Sequence, residues 1–164
     1  IWVVERGRPF DAARPITADT QRPVRGYFWS RDGRFILFVQ DRGGDENFRV
    51  YAVDPAAAPA AGARVPAARD LTPYEKVQAQ IVSVPENSPN HILVGLNDRN
   101  PQLHDLYRVN LSTGARELLF KNEQNLAGWT ADLQGNLRLA GRIKENGSSE
   151  LLRIDGQTLT PVYS

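Results

Sequence analysis

The sequence predicts an all-β fold, a partial β-propeller made of antiparallel four-stranded blades. Three observations predict it. Short runs of β-branched and aromatic residues, bounded by Gly, Asn, Asp and Pro, recur roughly every ten residues, the pattern of short antiparallel strands. No long stretch carries the apolar period of an amphipathic helix. A strand-and-turn unit that begins Tyr27-Phe28-Trp29-Ser30-Arg31-Asp32-Gly33 and ends Val50-Tyr51-Ala52-Val53-Asp54 returns further along the chain. Such a unit cannot bury its own apolar face, so its recurrence implies blades that stack on one another.

The first complete blade is assigned to residues 26–73. Residues 26–30 read as its inner strand, Asp32-Gly33 as a tight turn, and 34–40 and 48–54 as its second and third strands. Asp-Gly suits a hairpin because both residues tolerate positive φ. Arg69-Asp70-Leu71-Thr72-Pro73 supplies the fourth strand. The Ala- and Pro-rich residues 55–67 before it read as a surface excursion, since strand patterning continues on both sides.

The second blade is assigned to 77–121, with strands at 79–84, 91–97, 105–110 and 116–121. Asp98-Arg99 answers Asp41-Arg42, and Leu106-Tyr107-Arg108-Val109-Asn110 answers Val50-Tyr51-Ala52-Val53-Asp54. The third, 126–163, puts Trp129 in the place of Trp29 and Asp132 in the place of Asp32, with Asn146-Gly147 as a further turn. Residues 1–20 read as the end of a preceding blade. The chain is one domain of about three blades plus part of another, at the roughly 40 to 50 residues per blade of propellers. It reads as an excerpt of a longer protein.

Composition narrows the function. The 164 residues are 41% hydrophobic and 24% charged, a balance that folds around a core. Twenty Lys and Arg stand against nineteen Asp and Glu, a net charge of +1, so neither nucleic acid nor an anionic membrane is an expected partner. The longest apolar runs, such as residues 35–39, are far too short to span a bilayer, and the chain reads as soluble. Absence of cysteine excludes disulfides and thiolate metal sites but leaves both the cytoplasm and an oxidising compartment such as a periplasm open.

The densest polar cluster is Asp41-Arg42-Gly43-Gly44-Asp45-Glu46-Asn47. Arg42, Asp45 and Glu46, with Arg99 from the second blade, are candidates to meet a peptide or a partner domain. The competing reading gives Asp45 and Asn47 to the turn and pairs Arg42 locally. His91 and His104 lie in no metal-ligand spacing and are expected in structural or solvent-facing roles. No Gly-x-Ser-x-Gly and no phosphate-cradling Gly-x-x-x-x-Gly-Lys-Ser/Thr occurs, so catalytic, metal and cofactor residues are all expected to be none. Trp29, Trp129, Tyr51 and Tyr107, at matching repeat positions, are expected in the core between sheets.

The ordered set of Tyr27-Phe28-Trp29-Ser30, Gln40 through Asn47, Val50 through Asp54, Asp70-Leu71-Thr72-Pro73 and Ile92 through Asn100 followed by His104 through Asn110 resembles the N-terminal propeller region of the prolyl oligopeptidase family of serine peptidases. The similarity is to the members near the acylaminoacyl peptidases. It implies a parent in which the propeller precedes an α/β-hydrolase domain of the same polypeptide, covers its active site and admits peptide substrates. None of the family's Ser, Asp and His triad maps onto this chain, so the resemblance also implies that the chain alone does not hydrolyse peptides. The alternative is a free-standing propeller of the TolB type that binds protein partners.

Overall fold

The structure, a computed structural model, describes residues 1–163. Two short strands open it, β1 (Trp2–Val3) and β2 (Arg14–Pro15). The next four are β3 (Gly26–Trp29), β4 (Ile36–Gln40), β5 (Arg49–Val53) and β6 (Ala68–Asp70). They are followed by β7 (Ala79–Ser83), β8 (His91–Asn100), β9 (Leu103–Asn110) and β10 (Arg116–Phe120). The last four are β11 (Leu126–Ala131), β12 (Leu137–Ile143), β13 (Ser149–Asp155) and β14 (Thr158–Tyr163). Each group of four is one sheet in which sequence neighbours pair antiparallel, and β1 pairs β2 in a sheet of its own. This is the expected partial β-propeller of four-stranded blades.

Sheet position decides which strands are apolar throughout and which alternate. In β4, Ile36 and Phe38 face the β1–β2 sheet in a cluster with Ile16 and Val53. Leu37 faces the other way, joining Val50, Ala52, Ile92, Val94 and Val109 in the core shared with the second blade. A strand covered on both faces needs an unbroken apolar run, which is why Ile36-Leu37-Phe38 is one. A second shared core, Leu93, Leu106, Phe120, Leu126, Ala140, Leu152 and Ile154, joins the second and third blades. In β13 only one face is covered, so Glu150, Leu152 and Ile154 are buried while Leu151, Arg153 and Asp155 are exposed. Pro161 is tolerated because β14 is an edge strand.

The repeated aromatics do not share one environment. Tyr107 is buried, Tyr51 is half-buried and stacks on Phe38 with centroids 5.0 Å apart, and Trp129 is half-buried against Phe120. Trp29 departs from the expectation of a core residue: it is 52% exposed, and its face-mate Tyr27 is 66% exposed. Both stand on the face covered by β1 and β2, but those short strands pack on β4 and β5 and leave β3 bare.

The turns also refine the reading. At Asp32-Gly33 only the glycine has positive φ, 69°. The Gly33 amide donates to the Ser30 carbonyl, and the Asp32 carboxylate accepts from the Ser30 hydroxyl and the Arg34 amide. Asp132 plays the matching part in the third blade. It accepts from the main-chain amides of Gln134 and Asn136, the Asn136 carboxamide and the Arg138 guanidinium. Partial desolvation pushes its carboxyl up, but the Asn136 and Arg138 bonds outweigh this and hold its pKa at about 2, against an ordinary 3.8. A depressed carboxyl stabilises fully above the ordinary value and loses its contribution as pH falls through the depressed one. Carbon-detected titration of Asp132 is therefore expected to show a midpoint near pH 2, with protection of the Asn136 amide lost over the same interval. A midpoint at 3.8 would show that the turn is not held by these bonds.

Candidate functional site

Because every blade is an up-and-down meander, its second-to-third strand hairpin lies at the same end as the connections between blades. One end of the fold thus gathers the loop 41–48 between β4 and β5, the tip Pro101-Gln102 between β8 and β9, the loop 144–148 between β12 and β13, and the connections 16–25, 71–78 and 121–125. All four sequence-predicted site residues, Arg42, Asp45, Glu46 and Arg99, lie here.

The first loop is fastened from within. Asp41, with 1% of its side chain exposed, takes a two-bond ion pair from Arg22 of the preceding connection, at 2.9 and 2.7 Å. The Arg22 guanidinium is the main cause that holds the Asp41 carboxyl below its usual range. Gly43 and Gly44 both have positive φ, at 63° and 87°, and a Cβ on Gly44 would press on the Arg22 guanidinium at 3.4 Å. Asp45 accepts from the Asn47 amide at 3.0 Å and so organises the turn. Arg42 reaches the Tyr51 hydroxyl and the Asp70 carboxylate, each at 3.3 Å, while 61% of its side chain stays exposed. Glu46 sits at φ 58° with its amide on Asp41, and its carboxylate makes no ion pair among the described residues.

Arg99 is committed differently. Its guanidinium grips Asp105 with two 2.8 Å bonds and the Asn122 carbonyl at 2.7 Å. Asp105 also accepts from the Asn122 amide at 2.7 Å. Burial pushes the Asp105 carboxyl up, but Arg99 and that amide prevail and keep it below the ordinary range. Asn122 is fully buried, and its carboxamide closes both main-chain groups of Leu126, at 2.9 Å each, and donates to the His104 carbonyl at 3.3 Å. Asn122 was not visible as a functional residue, because an Asn between two strands looks like an ordinary turn residue.

The register corrects the echo between Asp41-Arg42 and Asp98-Arg99. Phe38 opposes Tyr51 and Val94 opposes Tyr107, so Asp41 corresponds to Asn97 and Arg42 to Asp98. The partners agree: Asp41 and Asn97 both hold the preceding connection, the latter through the Gln78 amide, and Arg42 and Asp98 both meet a Tyr hydroxyl. Charge at that second position is opposite in the two blades. Asp98 pairs with Arg116, whose guanidinium lies 4.2 and 4.6 Å from the Tyr74 and Tyr107 ring centres.

No protein-family model matches the chain. Dipeptidyl aminopeptidase BIII of Pseudoxanthomonas mexicana is 41% identical over 153 residues, which is 93% of this chain and 21% of that protein. Dipeptidyl peptidase family member 6 of Caenorhabditis elegans is 32% identical over 137 residues, 82% of this chain and 18% of that protein. A solved prolyl endopeptidase structure superposes with a TM-score of 0.68 at 23% identity, covering 99% of this chain and 23% of its own, and this likeness shows the fold. The chain belongs to the propeller part of the prolyl oligopeptidase family. It spans about a fifth of the length of these curated relatives.

In this prolyl oligopeptidase propeller the third hairpin repeats the device of the first two. Arg142 holds the buried Glu150 at 3.0 and 2.5 Å, and Lys144 stands 3.6 Å from the same carboxylate. Each hairpin end therefore buries a carboxylate under an arginine: Asp41, Asp105 and Glu150. Paired in this way the charges fix loop positions, while Arg42 stays largely exposed and Glu46 makes no ion pair among the described residues. Among the described residues no helix is long and apolar enough to cross a membrane, and no group of three His, Asp or Glu is placed to hold a metal ion.

Proposed function

We propose that this chain is a non-catalytic, substrate-gating part of a peptidase, working against an α/β-hydrolase domain carried by the same polypeptide. One observation supports this above others: 41% identity runs through 93% of the chain yet occupies only 21% of a dipeptidyl aminopeptidase. The remaining length of such a parent holds the catalytic machinery, and peptides are its substrates. In this reading residues 1–20 end a preceding blade, with blades at 26–73, 77–121 and 126–163. The hairpin end faces the hydrolase, with Arg42, Asp45 and Glu46 on the first loop and Arg99 holding the second in shape.

The test exchanges the two exposed charges in the full-length parent, as Arg42→Glu with Glu46→Arg. Misplaced charge at an interface rim changes encounter and docking more than folding. The kcat/KM for a peptide is expected to fall about tenfold, while turnover of a small chromogenic ester that needs no gating holds steady. Unchanged peptide kinetics and unchanged domain docking would remove this loop from the interface.

A further inference from the structure

Between the second and third blades a cleft of about 370 Å³ opens at the hairpin end, lined by Gln80, Gln102, His104 and Asn125 and walled by Trp129. Of the other clefts near this end, two are lined by ion pairs, Arg22 with Asp41 in one and Arg142 with Glu150 in another, and a smaller one of about 200 Å³ carries the Arg25 guanidinium over the Phe48 ring. The cleft between the second and third blades has no charged residue in its lining. Its carboxamides are also uncommitted. Those of Gln102 and Asn125 make no hydrogen bond among the described residues, and Gln80 only a long one of 3.4 Å to Gln78. Residues 80–82 of β7 and 126–129 of β11 line it consecutively. Successive side chains of a strand point to opposite faces, so consecutive residues line a cleft through the main chain. Both strands are the inner edges of their sheets, with no further strand on that side, although Leu126 spends its main-chain groups on Asn122 and Ala79 gives its amide to the Phe48 carbonyl.

The walls are held rigidly. The buried Asn122 carboxamide ties the His104 carbonyl to both main-chain groups of Leu126, and the Arg99–Asp105 pair clamps the Asn122 main chain from behind. Gly95 lets His104 pack close, since a Cβ there would lie 3.2 Å from the His104 Cβ. Burial pushes the His104 imidazole down from its usual 6.5, favouring the neutral ring. We infer that this cleft is a subsite for an uncharged, extended peptide segment, read through its main-chain amides by Gln80, Gln102 and Asn125 and by the main-chain groups that the two inner strands leave unpaired. An extended chain supplies alternating donors and acceptors that suit an unpaired strand edge, which a sugar does not. Arg99 is then a positioning residue acting through Asn122.

The subsite rests on the gating reading only for the origin of the peptide, and it is measured on this chain directly. The probe is acetyl-trialanine amide, followed by amide chemical shifts. Saturable shifts centred on Gly95, Gln102 and residues 125–129 are expected. The double variant Gln102→Ala with Asn125→Gly removes two carboxamides, and glycine keeps the positive φ of 55° at that position. It is expected to bind about tenfold more weakly at an unchanged melting temperature. The same peptide with its amides N-methylated is expected not to bind. No saturable shift, shifts centred elsewhere, unchanged affinity in the double variant, equal binding of the methylated peptide, or tighter binding of maltose at the same residues would each overturn the subsite. None of these would touch the gating reading, which is decided by the kinetics of the charge-exchanged parent.

Discussion

Replacing Asn122 by alanine is expected to cost about 3 kcal/mol of folding stability, because a buried donor or acceptor left without a partner costs roughly 1 to 3 kcal/mol. Asn122 is fully buried, and its side chain is the partner of both the amide and the carbonyl of Leu126. Alanine leaves that pair unanswered in the wall between two blades and frees the His104 carbonyl as well. Asn122→Asp is expected to be no better. It keeps an acceptor for the Leu126 amide but loses the donor for the carbonyl, and it sets a second carboxylate near Asp105, whose oxygen already takes the Asn122 amide. Urea unfolding of the three proteins measures the effect. A loss under about 1 kcal/mol for the alanine variant would mean that Leu126 finds other partners once the carboxamide is gone.

The three buried carboxylates under arginines act at the same end of the fold but are expected to set geometry more than stability. The gain from such a pair is offset by the desolvation of both charges. Two of them join parts of the hairpin end that strand pairing alone does not fix, Asp41 to the connection that holds Arg22 and Asp105 to the connection that holds Asn122, whereas Glu150 meets Arg142 directly across the β12–β13 ladder. This geometry also accounts for the fate of the sequence-predicted residues. Arg99, a candidate to meet a peptide or a partner domain, commits its guanidinium to Asp105 and the Asn122 carbonyl, whereas Glu46, of opposite charge and only a few residues from Asp41, is exposed.

Strand positions were legible because the apolar runs are short and the turns carry Gly, Asp and Asn, and the excursion at 55–67 falls between β5 and β6. What was not legible depends on register and on neighbours. The strand read as 91–97 runs on as β8 to Asn100, with an irregularity between Leu96 and Asn100, and this offset displaced the Asp98-Arg99 echo by one residue. A one-residue shift exchanges faces in a strand, so a motif aligned by identity alone put Arg99 where Asp98 stands. Asn122 was missed for a different reason: its role depends on Leu126 four residues on and on Asp105 in another strand, and no local pattern signals either.

Trp29 and Leu106 turn the remaining discrepancy into a measurement. From the sequence Trp29, repeated at Trp129, is expected in the core. The structure puts Leu106 there, 0% exposed among Leu93, Phe120, Leu126 and Leu152, whereas Trp29 is 52% exposed. Truncating a fully buried leucine removes its transfer free energy and leaves a cavity, so Leu106→Ala is expected to destabilise by about 3 kcal/mol. Trp29→Ala loses only part of a contact surface that already meets solvent, and is expected to cost less than about 1 kcal/mol. The same unfolding transitions, with tryptophan emission recorded alongside, compare the two. Emission from Trp29 in the folded chain, read as the difference between the parent and the Trp29→Ala variant because Trp2 and Trp129 also emit, is expected to be red-shifted as for an indole in water, and quenchable by acrylamide. A larger loss at Trp29 than at Leu106, together with blue-shifted emission, would show that the bare face of β3 is covered in solution by something beyond β1 and β2.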